Sequence, residues 1–343
     1  MPQLPDSVLI SPDRSARSRT PEAAADAVGS GRASAKLILF GEHVVLYGHP
    51  AISLPVPSLS VGARARRREG PVVIEVSSVD DQPGAPARVD TSAVPRMAVS
   101  AVCEYLGVPD DGLLVAVDSG IPAGHGFGSS AASSAAIIEA VASLWGRELD
   151  SDTMFELVQR SETVAHGKAS GVDARTVISA GGPIWFQHGT SVPLAVADGP
   201  ARPVLVVADT GVYGSTRDAV AAVRRRLEAL GTAGTDILER AGAITTAAAA
   251  DLAAGRFAEL GEKMTATHEI LARLEVSCPE IETLVAAALR AQALGAKLSG
   301  GGLGGCVIAL AVGDDAARRL CTALTDAGAR QCRTVALHPE GRP

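Results

Sequence analysis

Several classes of protein are excluded by what this 343-residue chain has little of. Aromatic residues make up only 3% of it, so alanine, valine and leucine must fill its cores. Its five cysteines lie far apart, without a C-x-x-C pair or zinc-ligand spacing, which predicts thiols in a reducing, cytoplasmic compartment. The net charge of −7 includes no dominant basic stripe, which argues against a nucleic-acid partner. No apolar run is long enough to span a membrane, so no membrane partner is expected.

Composition along the chain divides it into three parts. Residues 1–30 are rich in proline, serine, arginine and alanine but lack the apolar core of a secretory signal, which predicts a mobile leader. Residues 31–195 are rich in strand patterns, and residues 203–340 are rich in helix patterns. The polar, proline-containing segment 190–202 is a predicted hinge between them. A strand-rich half followed by a helix-rich half predicts an α+β protein of two domains.

The most informative stretch is a loop that runs from Gly124 to Ser130 and reads GHGFGSS. Alternating glycines allow a backbone to approach a ligand closely, and a run of small residues after Ser130 begins a helix. Free N–H groups at a helix N-terminus bind phosphate, which makes this loop a candidate phosphate site. A purely structural turn is the alternative. The P-loop motif is absent, and the glycine spacing of this stretch is not that of the Rossmann fingerprint.

A second glycine-rich loop, Lys297–Cys306, lies between two apolar runs. It has five glycines in six positions, whereas a plain hairpin needs one or two. The surplus indicates a backbone pressed against something large, and a glycine-rich bulge that stabilises a sheet is the alternative.

An apolar strand with a single lysine, Lys36, opens the first domain. The chain then turns at Gly41 and presents Glu42 and His43 before a second apolar run. The lysine either serves a site or lies in solvent at a sheet edge, as lysines in apolar strands often do.

Two acidic residues follow the phosphate-loop helix. Residues 152–166 form a predicted helix that Gly167 can end, and Glu162 falls on the border of its apolar face. Asp173 comes in the turn that follows. Two acids beside a phosphate loop suit one metal ligand and one base, whereas an ordinary helix edge and an Asx turn are the alternative.

Together, these four segments resemble the motifs of the GHMP small-molecule kinases, and within them the mevalonate kinases. The motif K-x-I-L-x-G-E-H-x-V-x-x-G corresponds to Lys36–Gly48, and P-x-G-x-G-L-G-S-S-A-A corresponds to Pro122–Ala132. The segment E-x-x-x-H-G-x-x-S-G-V-D, typical of mevalonate kinases, corresponds to Glu162–Asp173. The motif K-L-T-G-A-G-G-G-G-C corresponds to Lys297–Cys306. The resemblance covers residues 31–340.

The resemblance implies a fold and an activity. The fold would be a two-domain GHMP kinase, with an N-terminal domain like ribosomal protein S5 domain 2, a ferredoxin-like C-terminal domain and the active site between them. The activity would be ATP- and Mg²⁺-dependent phosphorylation of mevalonate by a cytoplasmic homodimer. A related kinase acting on phosphomevalonate or a sugar is one alternative. A non-catalytic nucleotide-binding regulator is another, and it would be expected to lack Lys36, Glu162 or Asp173, all of which are present.

The resemblance also implies a role for individual residues. Asp173 would be the base and Lys36 its catalytic partner, while Ser130 and Glu162 would bind Mg²⁺. The acceptor alcohol would contact Glu42 and His43. Because Ser133 and Gly214 stand where animal mevalonate kinases carry a tyrosine and an arginine, Thr216 and Arg217 are further candidates for binding the acceptor, and a solvated helix residue is the alternative for Arg217. The ATP phosphates would be held by the loop Pro122, Ala123, Gly124, His125, Gly126, Phe127, Gly128, Ser129 and Ser130. The third-motif loop would contribute Gly300, Gly301, Gly302 and Gly304.

The chain departs from the family pattern in the phosphate loop, in the third motif and near the acceptor. Phe127 replaces the usual leucine, a conservative change. In the third motif, Ser299 replaces threonine, Gly301 replaces alanine and Leu303 replaces a glycine, which adds bulk to the loop. Ser133 and Gly214 stand where animal mevalonate kinases carry a tyrosine and an arginine. These last two differences predict a roomier acceptor pocket with fewer donors for the substrate carboxylate.

Overall fold

The computed structural model describes residues 26–82, 85–167, 169–179, 181–198 and 202–337, and the description below is of these. Most of the predicted leader, residues 1–25, lies outside them. The first strand nevertheless begins at Val28, before the predicted domain start at 31, because residues 28–34 pair with the following strand.

The first sheet has seven strands, all from the N-terminal half. They are β1 (Val28–Phe40), β2 (Ala51–Arg67), β3 (Val73–Ser78), β4 (Arg88–Val89), β5 (Leu113–Ser119), β6 (Ile184–Gln187) and β7 (Thr190–Pro193). The order is β4-β3-β5-β2-β6-β7, and β1 pairs antiparallel with β2. Along β1, exposed and buried residues alternate at first, and from Ala35 to Phe40 every residue is buried. This second half of β1 therefore lies inside the protein and not on its surface.

Helices cover this sheet. They are α1 (Ala93–Leu106), α2 (Ser129–Leu144), α3 (Ser151–His166) and α4 (Val172–Val177). Alanine, isoleucine and valine make up most of α2, and 11 of its 16 residues are buried, with contacts to β1, β2, α1 and α3. Because small residues allow close packing, α2 brings its first turn, which carries the phosphate loop, into the middle of the molecule.

The second sheet has four antiparallel strands from the C-terminal half. They are β8 (Pro203–Asp209), β9 (Gly295–Ser299), β10 (Cys306–Val312) and β11 (Gln331–Ala336), in the order β11-β8-β10-β9. The helices are α5 (Thr216–Leu230), α6 (Thr232–Ala254), α7 (Phe257–Arg273), α8 (Pro279–Arg290) and α9 (Asp314–Asp326). The strand order matches the predicted ferredoxin-like arrangement, in which α8 and α9 pack on the sheet, and three further helices, α5 to α7, are added between its first two strands.

The two domains share one hydrophobic core. Alternate residues of β8 face opposite ways, so that Leu205 and Val207 join the core of the N-terminal domain while Val204 and Val206 join a second core under α8 and α9. The cleft between the domains therefore lies on a packed interior to which both domains contribute.

No helix of the described residues is long and apolar enough to cross a membrane.

The predicted hinge over 190–202 is wrong for its first four residues. Thr190–Pro193 forms β7, which pairs antiparallel with β6 through a two-residue turn at His188 and Gly189. Both turn residues have positive φ, 50° and 78°, as a tight hairpin requires. Residues 199–201 of that segment lie outside the described residues.

Candidate active site

A cleft of about 800 Å³ lies between the two domains. Most of the residues predicted to act in a site line it, including both predicted catalytic residues and all four predicted acceptor contacts. The residues of the prediction that do not line it are Pro122, His125, Phe127, Gly302 and Gly304. Of these, Gly302 and Gly304 line a smaller cavity that adjoins it, behind the third-motif loop.

Lys36 and Asp173 meet at the bottom of the cleft. The lysine Nζ is 3.0 Å from an Asp173 carboxylate oxygen, and the lysine side chain is only 4% exposed. The solvent-edge interpretation of Lys36 is therefore wrong, because it lies in the buried half of β1. The aliphatic part of the Lys36 side chain packs on Gly128. A Cβ atom at this glycine would come within 2.7 Å of the lysine Cγ, and the glycine has φ of +71°. The phosphate loop therefore has no space for a larger residue than glycine at position 128 while the Lys36 side chain packs there.

Ser130 and Glu162 form a second pair at the start of α2. The serine hydroxyl donates to a carboxylate oxygen of Glu162 at 2.7 Å. Glu162 is almost completely buried on α3, and burial, with a smaller contribution from the charge of Asp173, raises its pKa to about 7. Two side-chain oxygen atoms thus lie beside the helix N-terminus, where burial disfavours the charged form of the carboxylate.

The C-terminal domain holds the phosphate loop from behind. The Gly214 N–H donates to the Gly124 carbonyl at 2.9 Å, and the ring of Tyr213 lies directly on Gly124. The His125 ring is buried, with its Nδ1 2.8 Å from a carboxylate oxygen of Asp209 on β8. The His125 side chain therefore points away from the cleft, and only its backbone can contribute to the loop.

Glu42 and His43 contact the third-motif loop. The Glu42 carboxylate forms an ion pair with Lys297, and both side chains are fully buried. The His43 Nε2 donates to the Gly301 carbonyl at 2.9 Å. Lys297 is the residue that sequence reasoning missed, although it gives the same signal as Lys36, a lone lysine in an apolar strand.

The comparisons with known proteins agree with this geometry. Models of the GHMP kinases N terminal domain and the GHMP kinases C terminal match residues 93–182 and 248–330. A mevalonate kinase of Thermococcus gammatolerans is 35% identical over 317 residues, which cover 86% of this chain and 92% of that protein. A mevalonate kinase of Aeropyrum pernix is 38% identical over 292 residues, 81% and 88% of the two chains.

The chain belongs to the mevalonate kinase family, within the GHMP kinases. A crystal structure of L. major mevalonate kinase in complex with R-mevalonate superposes with a TM-score of 0.77 at 28% identity, covering 92% of this chain and 97% of that one. The predicted two-domain α+β kinase fold is confirmed, and membership of this family implies ATP as the phosphoryl donor.

The chain accommodates its departures from the family pattern without closing the cleft. Leu303 has φ of +57°, its N–H donates to the Val276 carbonyl at 2.7 Å, and its side chain packs against the second core. At Gly214, a Cβ atom would lie 2.8 Å from the Gly302 carbonyl. The family's arginine therefore has no room at this position along the present loop path, and the bulk of Leu303 is directed out of the site.

Thr216 and Arg217 are the first two residues of α5, on the C-terminal side of the cleft. Ser215 caps this helix by accepting a hydrogen bond from the Asp218 N–H at 3.3 Å. Both Thr216 and Arg217 are exposed. A guanidinium and a helix N-terminus thus face the cleft together, a combination that favours an anionic ligand group.

Proposed function

We propose that the protein transfers the γ-phosphoryl group of ATP to the terminal hydroxyl of mevalonate, giving 5-phosphomevalonate in the mevalonate route to isoprenoids. The observation that carries this proposal is the contact of Lys36 with Asp173 in a cleft bounded by the phosphate loop. The names of the relatives, and the mevalonate bound to the L. major structure, support the choice of acceptor.

The chemistry follows from the arrangement of charges. The transition state of phosphoryl transfer is loose and highly charged, so that positioning and charge compensation dominate catalysis. The backbone N–H groups of residues 124–130 would hold the ATP phosphates at the start of α2. Asp173 would accept the proton of the acceptor hydroxyl, and Lys36 would place its positive charge beside the oxygen that loses that proton.

Ser130 and Glu162 fit a Mg²⁺ ion. Both present oxygen atoms, which Mg²⁺ prefers, and both lie in the cleft beside the phosphate loop. Within the described part of the chain, no three His, Cys, Asp or Glu residues are grouped to hold a metal by themselves. Mg²⁺ usually keeps several waters and is bound through one or two protein oxygens together with substrate phosphates. When bound, the ion would neutralise charge on the β- and γ-phosphates.

Glu162→Gln is expected to raise the Mg²⁺ concentration needed for half-maximal rate. It should also stabilise the metal-free protein at pH 8, because the wild-type carboxylate, with its pKa raised to about 7, is ionised there in a buried position. Because the pKa of Glu162 is higher in the folded protein than in the unfolded chain, the free energy of unfolding of the wild type falls as the pH rises from the unfolded-state pKa to about 7. The gain from the substitution should therefore shrink towards pH 5, and thermal melts in EDTA at both pH values measure it. An unchanged Mg²⁺ requirement would remove Glu162 from the metal site.

Arg217→Ala is expected to raise the KM for mevalonate about 10- to 150-fold, the equivalent of one lost charge-assisted hydrogen bond. The KM for ATP should not change, because Arg217 would bind the acceptor carboxylate. Arg225→Ala, an exposed arginine on the same helix, is the matched control and should leave both values unchanged. A rise in the ATP KM alone would instead place Arg217 on the nucleotide side.

A coupled ADP-release assay tests the proposed function. The purified protein with ATP and Mg²⁺ is given mevalonate, phosphomevalonate or a sugar in parallel, and release of ADP is expected with mevalonate. Release with another alcohol and none with mevalonate would contradict the proposal. No release with any of them, together with measurable ATP binding, would favour the non-catalytic regulator.

We also propose that the kinase works in the cytoplasm as a homodimer. All five cysteines are unpaired thiols, as is usual in a reducing compartment. The family resemblance supports the dimer, and light scattering of the purified protein measures it directly.

A further inference from the structure

Lys297 is the most deeply buried cation near the cleft. It lies in the middle of β9, where every residue is buried, and its side chain has no exposed surface. Besides pairing with Glu42, its Nζ donates to the Leu298 carbonyl at 2.7 Å. A lysine is held inside a protein at a high desolvation cost, so the contact with Glu42 must be specific in geometry.

The partner carboxylate belongs to the other domain. Glu42 follows β1, and its separation from Lys297 is 255 residues. One oxygen pairs with the lysine; the second is buried and, among the described residues, has no hydrogen-bond partner outside Glu42 itself. Lys297 therefore fixes the direction of a carboxylate that lines the cleft.

The next residue, His43, has an unusual backbone. Its φ of 62° and ψ of −44° lie in a region that residues with a side chain rarely adopt, and such strain persists only where the surroundings impose it. The contacts that impose it come from the third-motif loop, through Lys297 on Glu42 and through the Gly301 carbonyl on the His43 ring. Burial, with a smaller contribution from the charge of Lys297, lowers the pKa of His43 to about 4, so the ring is a neutral donor.

Strand β1, which precedes Glu42, and strand β9, which carries Lys297, are also joined by hydrogen bonds close to this ion pair. The hydroxyl of Ser299 donates to the Ile38 carbonyl at 2.9 Å and accepts from the Ile38 N–H at 3.1 Å. These bonds fix β9 against β1, so that Lys297 reaches Glu42 from a constant position.

We propose that Lys297 is a positioning residue for the acceptor side of the cleft, acting across the domain boundary by holding Glu42 and, through it, the strained His43. This inference rests on the proposed function in one respect, that Glu42 and His43 face the acceptor alcohol. Lys297 does not line the cleft and acts through Glu42.

Steady-state kinetics of three variants test the inference: Lys297→Met, Glu42→Gln and the double variant. Lys297→Met should raise the acceptor KM about 10- to 100-fold, the scale of one lost charged hydrogen bond, while the ATP KM stays unchanged. The double variant should be no worse than Glu42→Gln alone, because a residue that acts through Glu42 has no further effect once Glu42 is neutral. Additive effects in the double variant would overturn the inference.

Stability is measured in the same variants. Lys297→Met leaves a buried carboxylate unpaired and should lower Tm, whereas the double variant, with neither charge, should regain most of it. If Lys297→Met does not fold, the comparison of the double variant with Glu42→Gln carries the test.

Lys263→Met is the matched control, since Lys263 also pairs with a buried acid, Asp251, at 2.6 Å, away from the cleft. It should lower Tm and leave the acceptor KM unchanged. A rise in the acceptor KM in this control, or an equal rise of both KM values in Lys297→Met, would reduce Lys297 to a purely stabilising residue. The acceptor KM is measured with whichever alcohol the wild type phosphorylates, so failure of mevalonate as the substrate is seen separately.

Discussion

Asparagine in place of Asp173 is expected to lower kcat by roughly 10²- to 10⁴-fold, the range for loss of a general base. The Asp173 side chain is 29% exposed, so it is open to the cleft, and its contact with Lys36 at 3.0 Å holds it in place. An amide of the same shape cannot accept the proton of the acceptor hydroxyl. The loss should appear in kcat from ADP release, while ATP affinity, measured by calorimetry, should stay near that of the wild type.

Asp152→Asn is the control for this prediction. Asp152 is a highly exposed acid that pairs with Arg175 of the same helix as Asp173, and its replacement should leave kcat unchanged. Near-normal turnover of Asp173→Asn would show that the base is another residue. A large loss of ATP affinity would instead place Asp173 at the nucleotide or its metal.

Lys36→Met is expected to lower kcat by about 10²- to 10³-fold, as removal of one preorganised charge-stabilising group does. Lys36→Arg should not restore it. The aliphatic part of the lysine packs on Gly128, where an added Cβ atom would lie 2.8 Å from the lysine Cε, and a planar guanidinium would not reproduce the 3.0 Å contact of the lysine Nζ with Asp173. Both variants are compared with the wild type in kcat and in the KM values of the two substrates.

Arg32→Met provides the reference on the same strand. Arg32 is exposed, and its guanidinium donates to the Ser60 hydroxyl at 2.9 Å, far from the contacts of Lys36. This variant should keep the wild-type kcat. Full activity of Lys36→Met would limit Lys36 to a structural role, and full activity of Lys36→Arg would show that charge without exact placement is enough.

The helices could be predicted from the sequence because their signals are local. The helix predicted over 93–106 is α1, ended by Gly107 in the left-handed conformation. The short polar strand β7 was missed, because its residues have no hydrophobic alternation and it depends on the turn at His188 and Gly189. Local patterns thus identify helices and strands whose hydrophobic residues repeat at a regular spacing. They miss a strand that is stabilised mainly by pairing with its neighbour.

In the candidate site, too, local sequence patterns predict individual segments but not the contacts between distant ones. The four motifs predicted which segments line the cleft, because each has an unusual composition of its own. The pairs Lys297–Glu42 and His125–Asp209 could not be predicted, since each joins a loop or strand of one domain to the other. The pairing of charged residues across the domain boundary depends on how the two domains pack together, and the spacing of residues in the sequence does not determine that packing.

The position of β9 at the edge of the four-stranded sheet has a consequence for solubility. An edge strand offers unpaired backbone groups to other chains, and here β1 lies against it, with Ser299 bonded to the Ile38 backbone. Helix α7 of the same domain also packs against β9, and the Leu298 N–H donates to His268 on that helix. A C-terminal half without its N-terminal partner would therefore lose the contact with β1, and Lys297 would stand in the middle of the strand without Glu42. A charged residue pointing inward on an edge strand opposes strand addition. The same lysine therefore works against aggregation until the two halves of the chain have packed together.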